Sequence, residues 1–196
     1  MNYITDLIVQ FMLKHSVIEA EDAEIYKFGF NQLIFISINL MTTVIIGILF
    51  SMIFESVIFL VSYMVVRVYA GGYHAKTQFR CYIISSLFIV LALLGVRYIN
   101  WEGFASIIAI TISAMIIFKL SPVETKNKPL DDIERKIYTT KSHKRIVTIY
   151  ALCIVSMLLN YEAIFKSVAM AIIILSFVLL IGHQMNIRDE KKQKSA

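Results

Sequence analysis

Apolar runs approaching the length of a bilayer crossing recur along nearly the whole chain. A hydrocarbon core of about 30 Å takes about 20 helical residues, fewer where charged flanks snorkel. Six stretches qualify: residues 32–54, 56–72, 81–96, 103–120, 146–160 and 163–182, of which the second and fifth are short. No repeat of 20 to 50 residues runs through them, which excludes a solenoid or array. The pattern predicts an all-α fold, a polytopic transmembrane helical bundle of about six spans.

The first 30 residues read differently. Ile4, Leu7, Ile8, Phe11 and Met12 share one helical face, with Asn2, Thr5, Asp6 and Gln10 opposite. Such an N-terminal amphipathic helix suits the membrane interface, and equally suits packing against the bundle. Ser16 and Glu19 form a Ser-x-x-Glu capping pattern, predicting a second short helix through Glu21, Asp22 and Glu24. No Lys or Arg precedes the apolar positions and no small-residue cleavage site follows, so a secretory signal is not expected. The expected organisation is a single membrane domain over 1–196: a helical segment at 1–30, the bundle at 31–182 and a tail at 183–196.

Composition agrees, with 58% hydrophobic and 17% charged residues and a mean hydropathy of +0.72, values that exclude an ordinary soluble domain. The charges fix an expected orientation, because cytoplasmic loops carry the excess of Lys and Arg. Arg67, Lys76 and Arg80 follow the second run. Lys119, Lys126, Lys128, Arg135, Lys136, Lys141, Lys144 and Arg145 follow the fourth, and Arg188, Lys191, Lys192 and Lys194 end the chain. Only Arg97 and Lys166 stand on the other side, and Lys14 and Lys27 precede the first run. Both termini are therefore expected in the cytoplasm, with Tyr98 and Trp101 as an anchor at the outer interface. The net charge of +5 is mainly a topology signal. Divided among separate segments and without an accompanying motif, it gives no reason to expect a nucleic-acid partner.

Two cysteines carry different expectations. Cys153, among Leu152, Ile154 and Val155, reads as core packing. Cys81 opens the third run behind Lys76 and Arg80, in a compartment that keeps thiols reduced, so a disulfide between the two is not expected. Thr77 is placed to cap a helix beginning there, which would put Cys81 in the first turn, where the dipole favours a thiolate. His74, seven residues upstream, is a candidate base, and Gly71 and Gly72 before it allow the backbone to leave one helix and turn. Arg67 lies one turn earlier, at the edge of lipid, where a cation needs a task or a partner. Taken singly, each residue has a structural reading; together, on one membrane face, they point to cysteine chemistry. His74 and Cys81 would be about 10 Å apart along one uninterrupted helix, too far for proton transfer, so a break between Gly71 and Thr77 is predicted. His15, His143 and His183 lack such company and read as solvated or interfacial. No metal is expected, since tetrahedral zinc wants four ligands and only His74 and Cys81 lie close in sequence.

The stretch from Arg67 through Gly71, Gly72 and His74 to Cys81 resembles the signature of the accessory gene regulator B family, membrane endopeptidases of Gram-positive peptide quorum sensing. The segment from Ser121 through Pro122 and Glu124 to Pro129 and Leu130 resembles that family's loop, with Glu124 where Asp is usual. The resemblance covers essentially the whole chain. It implies cleavage of a short amphipathic propeptide at the cytoplasmic face of the bacterial cell membrane. Cys81 is the implied nucleophile and His74 the base, an acyl-enzyme thioester is held, and the peptide closes a thiolactone or lactone ring. Arg67 and Gly72 match further motif positions, and a homodimer is implied.

The remaining residues fit this expectation and leave two others open. No Gly-x-x-x-x-Gly-Lys loop is present, so neither ATP nor another cofactor is expected. Lys126, Lys128, Arg135 and Lys136 are candidates for holding an acidic part of the substrate, against the simpler reading that they anchor the cytoplasmic side. A small peptide transporter or exporter, or a non-catalytic membrane binding subunit, would share the six runs. Loss of cleavage in Cys81→Ser separates the enzyme from both.

Overall fold

The computed structural model describes residues 2–72, 77–124 and 130–194. Among these residues the fold is all-helical: α1 (Asn2–Lys14), a 3-10 turn (Ala20–Asp22), α2 (Ala23–Leu49), α3 (Ile53–Ala70), α4 (Gln78–Tyr98), α5 (Phe104–Leu120), α6 (Asp132–Leu158) and α7 (Glu162–Lys194). Four segments are long and apolar enough to cross a membrane: Ala20–Leu49, Ile53–Ala70, Gln78–Tyr98 and Glu162–Arg188. α5 is apolar throughout but spans 17 residues. α6 carries the fifth apolar run in its second half and begins well before it at Asp132. There Asp131 accepts from the Glu134 N–H at 2.6 Å and the Glu134 side chain reaches back to the Asp131 N–H. That reciprocal cap starts the helix in a charged stretch where hydropathy gives no signal.

The chain divides into two compact units, 1–42 and 43–196. In the first, Thr5 and Val9 are buried, the Thr5 hydroxyl donates to Asn31 at 3.2 Å, and Asp6 pairs with Lys27 at 2.6 Å. The expected polar face of α1 is thus corrected at Thr5, which turns inward because Asn31 satisfies its hydroxyl. Ile4, Leu7 and Phe11 remain exposed. The second short helix does not start at Ser16 either. Ser16 has a positive φ of 53°, incompatible with a helix cap, and the acidic stretch winds into the 3-10 turn that leads into α2.

In the second unit α7 is the hub, packing against α3, α4, α5 and α6. Its Val168, Ala169, Leu175 and Leu179 are almost wholly buried, together with Phe59, Val66, Leu93, Ile110, Ile117 and Ile146 of its neighbours. A helix apolar all round is the sequence form of such a central element. The first apolar run ends earlier than hydropathy implies, because Ser51 takes a positive φ and the Met52 N–H returns to the Gly47 carbonyl at 2.7 Å. α3 therefore starts at Ile53. The expected anchor role also splits: Tyr98 is 75% exposed, whereas Trp101 is 8% exposed. The Trp101 indole N–H donates to Gly95 O at 3.1 Å and its ring meets Phe165 edge-on, so it plugs the end of the bundle. Cys153 is fully buried, as its surroundings imply. The segment after residue 182 continues α7 as far as Lys194.

Candidate active site

The break between the second and third apolar runs is built by two glycines and a strand-like contact. α3 stops at Ala70. Gly71 and Gly72 follow with φ of 68° and 109°, values that a Cβ strains. Val123, arriving from α5, runs parallel to this turn: its N–H donates to Ala70 O at 2.9 Å, and its carbonyl accepts from the Gly72 N–H at 3.0 Å. A Cβ on Gly71 would run into the Val123 carbonyl. The two motifs of the sequence are thus one backbone unit.

Charges from α6 close the same end of α3. Arg145 donates to Val65 O at 2.8 Å and lies over the Tyr69 ring at 4.2 Å, with Lys141 at 5.1 Å. Cations there complement the negative end of the helix dipole. Glu124 is held from both sides: its carboxylate accepts from Arg135 Nε at 2.7 Å, and its carbonyl accepts from Asn186 of α7 at 2.7 Å. Of the candidate substrate cations, Arg135 is therefore engaged within the protein and Lys136 is exposed. Lys126 and Lys128 lie outside the described residues, as does His74.

α4 begins as its sequence suggests. Thr77 is the N-cap, its hydroxyl accepting from the Arg80 N–H at 3.3 Å. Cys81 follows one turn in, and its own N–H is bound to Thr77 O at 3.0 Å. The half-buried Cys81 side chain opens onto a cavity of about 80 Å³ lined by Tyr63 and Arg67 of α3, Ile84, Ser85 and Phe88 of α4, and Val178 of α7. Ser85 donates to Tyr82 O at 3.0 Å, which turns its proton back to the helix. Arg67 reaches this cavity beneath the glycine turn, where a methyl on Gly72 would stand 2.6 Å from its Nη1. Tyr63, one turn before Arg67 on α3, lines the same cavity and stacks on the buried Phe59 at 5.9 Å.

The structure thus brings Arg67, Gly72 and Cys81 together and adds Tyr63, Phe88 and Val178, which sequence reasoning does not single out. Tyr63 had a signal: it sits one helical turn before Arg67, on the same face. Val178 had none, because only the packing of α7 places it there.

The fold and this thiol-lined cavity define an all-helical membrane protein with a cysteine site at one end of its bundle. The chain belongs to the accessory gene regulator B family, whose model matches residues 5–179. An AgrB-like protein of Clostridium perfringens (strain SM101) is 32% identical over 166 residues, covering 79% of this chain and 77% of the relative. A second, AgrB-like protein 2 of Clostridium perfringens (strain 13), is 28% identical over 169 residues, covering 82% and 78%. Accessory gene regulator protein B of Staphylococcus aureus (strain MW2) is 33% identical over 121 residues, covering 61% of this chain and 62% of the relative. No solved structure matches the chain significantly.

Proposed function

We propose that this chain is a membrane-embedded cysteine endopeptidase that cleaves a short quorum-sensing propeptide and promotes cyclisation of the released part. One observation carries the reading: Cys81 stands in the first turn of α4 and lines a small cavity together with Arg67 of the neighbouring helix.

In the proposed reaction His74 takes the thiol proton and Cys81 attacks the scissile carbonyl carbon. The amide C–N bond breaks, the departing amine receives the proton from His74, and the N-terminal part stays on Cys81 as a thioester. A thiol or hydroxyl of the peptide then displaces Cys81, closing a thiolactone or lactone. Exchange of one thioester for another is nearly isoenergetic, so the uphill step is peptide to acyl-enzyme, and apolar neighbours such as Ile84, Phe88 and Val178 support the reading by keeping water from the thioester. The uneven distribution of Lys and Arg supports a cytoplasmic site, and a pair of chains is the proposed working form.

The test is precursor cleavage in membranes, with a short amphipathic propeptide as substrate. Cys81→Ala and His74→Ala should each abolish cleavage while the protein still inserts, and the double variant should be no worse than either, because residues acting as one unit fail together. Cleavage retained by Cys81→Ala discards the mechanism in favour of a transporter or binding subunit.

A further inference from the structure

We propose that Arg67 is the oxyanion-binding residue of this site and that Tyr63 is the positioning residue that aims its guanidinium. The inference rests on the proposed role of Cys81 as nucleophile and adds to it the group that receives the negative charge.

When the thiolate adds to a carbonyl, the C–S bond forms and the π electrons of C=O move onto oxygen. They return when the C–N or C–O bond to the leaving group breaks. Such sites stabilise the transient oxyanion with fixed donors, often including the main-chain N–H of the nucleophile itself. That donor is taken here. The Cys81 N–H is bound to Thr77 O at 3.0 Å, and the next N–H toward the helix start, that of Arg80, is bound to the Thr77 hydroxyl at 3.3 Å. The nearest hydroxyl on α4, Ser85, gives its proton to Tyr82 O. Among the described residues lining the cavity, Arg67 is the cation, and it lines the cavity from the neighbouring helix α3.

Its position is built by its neighbours. Gly72, at φ 109°, leaves the space its Nη1 occupies. Tyr63, one turn earlier on the same face of α3, lines the cavity beside it and is in turn held by its stack on Phe59, which is 2% exposed. A planar guanidinium confined between the Gly72 turn and the cavity wall presents its donors in a fixed direction. A lysine, as a point charge on a flexible stem, would keep the charge without the direction.

The test compares two reactions of the same thiol in full-length protein carrying Cys153→Ala, so that Cys81 alone reports. Acylation by p-nitrophenyl acetate passes through a tetrahedral oxyanion and releases one nitrophenolate per thiol; alkylation by iodoacetamide displaces iodide and forms no oxyanion. Arg67→Gln should slow the acylation burst on the order of a hundredfold. Tyr63→Phe, which keeps the ring and its stack, should slow it roughly three- to tenfold. Arg67→Lys should fall between wild type and Arg67→Gln. Alkylation, measured across pH, should reach the same limiting rate in all three once the thiol is fully ionised, and acylation is compared on that plateau, which also shows that each variant is folded around an accessible thiol. Equal loss in both reactions would mean that Arg67 acts on the thiol or the fold, and overturns the proposal. So does acylation of Arg67→Gln at the wild-type rate. A wild-type chain with no burst, or with propeptide cleavage surviving Cys81→Ala, removes the nucleophile reading itself and this inference with it.

Discussion

Replacing Gly72 with alanine separates what the glycine does for the backbone from what it does for Arg67. At φ 109° any residue with a Cβ is strained by about 1–3 kcal/mol. The added methyl would also stand 2.6 Å from Arg67 Nη1, 3.3 Å from Leu179 and 3.4 Å from Val178. The guanidinium is the flexible neighbour, so it moves, and giving up one hydrogen bond of its present position would cost about 0.5–1.5 kcal/mol. Gly103 supplies the control. Its φ is 94° and nothing lies within 4 Å of its Cβ position, so Gly103→Ala carries the conformational cost alone. Thermal unfolding of the detergent-solubilised full chain should show the Gly72→Ala variant weaker than Gly103→Ala by about 1 kcal/mol. Cleavage of the propeptide in membranes, normalised to inserted protein, should separate them far more widely, with Gly72→Ala falling at least about tenfold below Gly103→Ala. If the two variants cleave within about threefold of each other, the glycine serves only the turn and its link to Arg67 is wrong.

Three further outcomes are expected. In a background without Cys81 and Cys153, a reporter cysteine replacing Asn100 should react with an impermeant thiol reagent added outside, while reporters replacing Lys128 or Lys192 should not; efficient labelling at Lys128 would break the topology drawn from the Lys and Arg distribution. Cys153→Ala should retain propeptide cleavage and lose only about 1 kcal/mol of stability, since Cys153 is wholly buried in the apolar core and its thiol makes a weak contact with the Phe165 carbonyl at 3.9 Å; loss of cleavage with normal expression would contradict the packing role. Asp131→Ala removes the reciprocal cap of α6 and should destabilise the chain by about 1 kcal/mol in thermal unfolding, whereas a loss below a few tenths would show that tertiary packing alone fixes that helix start.

The sequence by itself determined the class, the helical state of each apolar run and the turn and helix start that carry Cys81. Those features are local. Hydropathy over about 20 residues reports what must leave water, glycines mark a backbone departure, and a Thr four residues before Cys81 caps the helix that carries it. The break between Gly71 and Thr77 was legible for the same reason, because one straight helix would hold His74 and Cys81 too far apart. Boundaries were less legible where a nonlocal partner set them. Trp101 reads as an interface anchor until Gly95 and Phe165 are seen to enclose it. Thr5 reads as polar surface until Asn31 takes its hydroxyl. Only tertiary structure decided that Val123 pairs with the Gly71–Gly72 turn, that Arg145 caps α3, and that α7 places Val178 beside Cys81. Each of those contacts joins residues far apart in the chain. Their energy comes from complementary shape and satisfied hydrogen bonds in the packed bundle, and neither quantity exists until the helices meet.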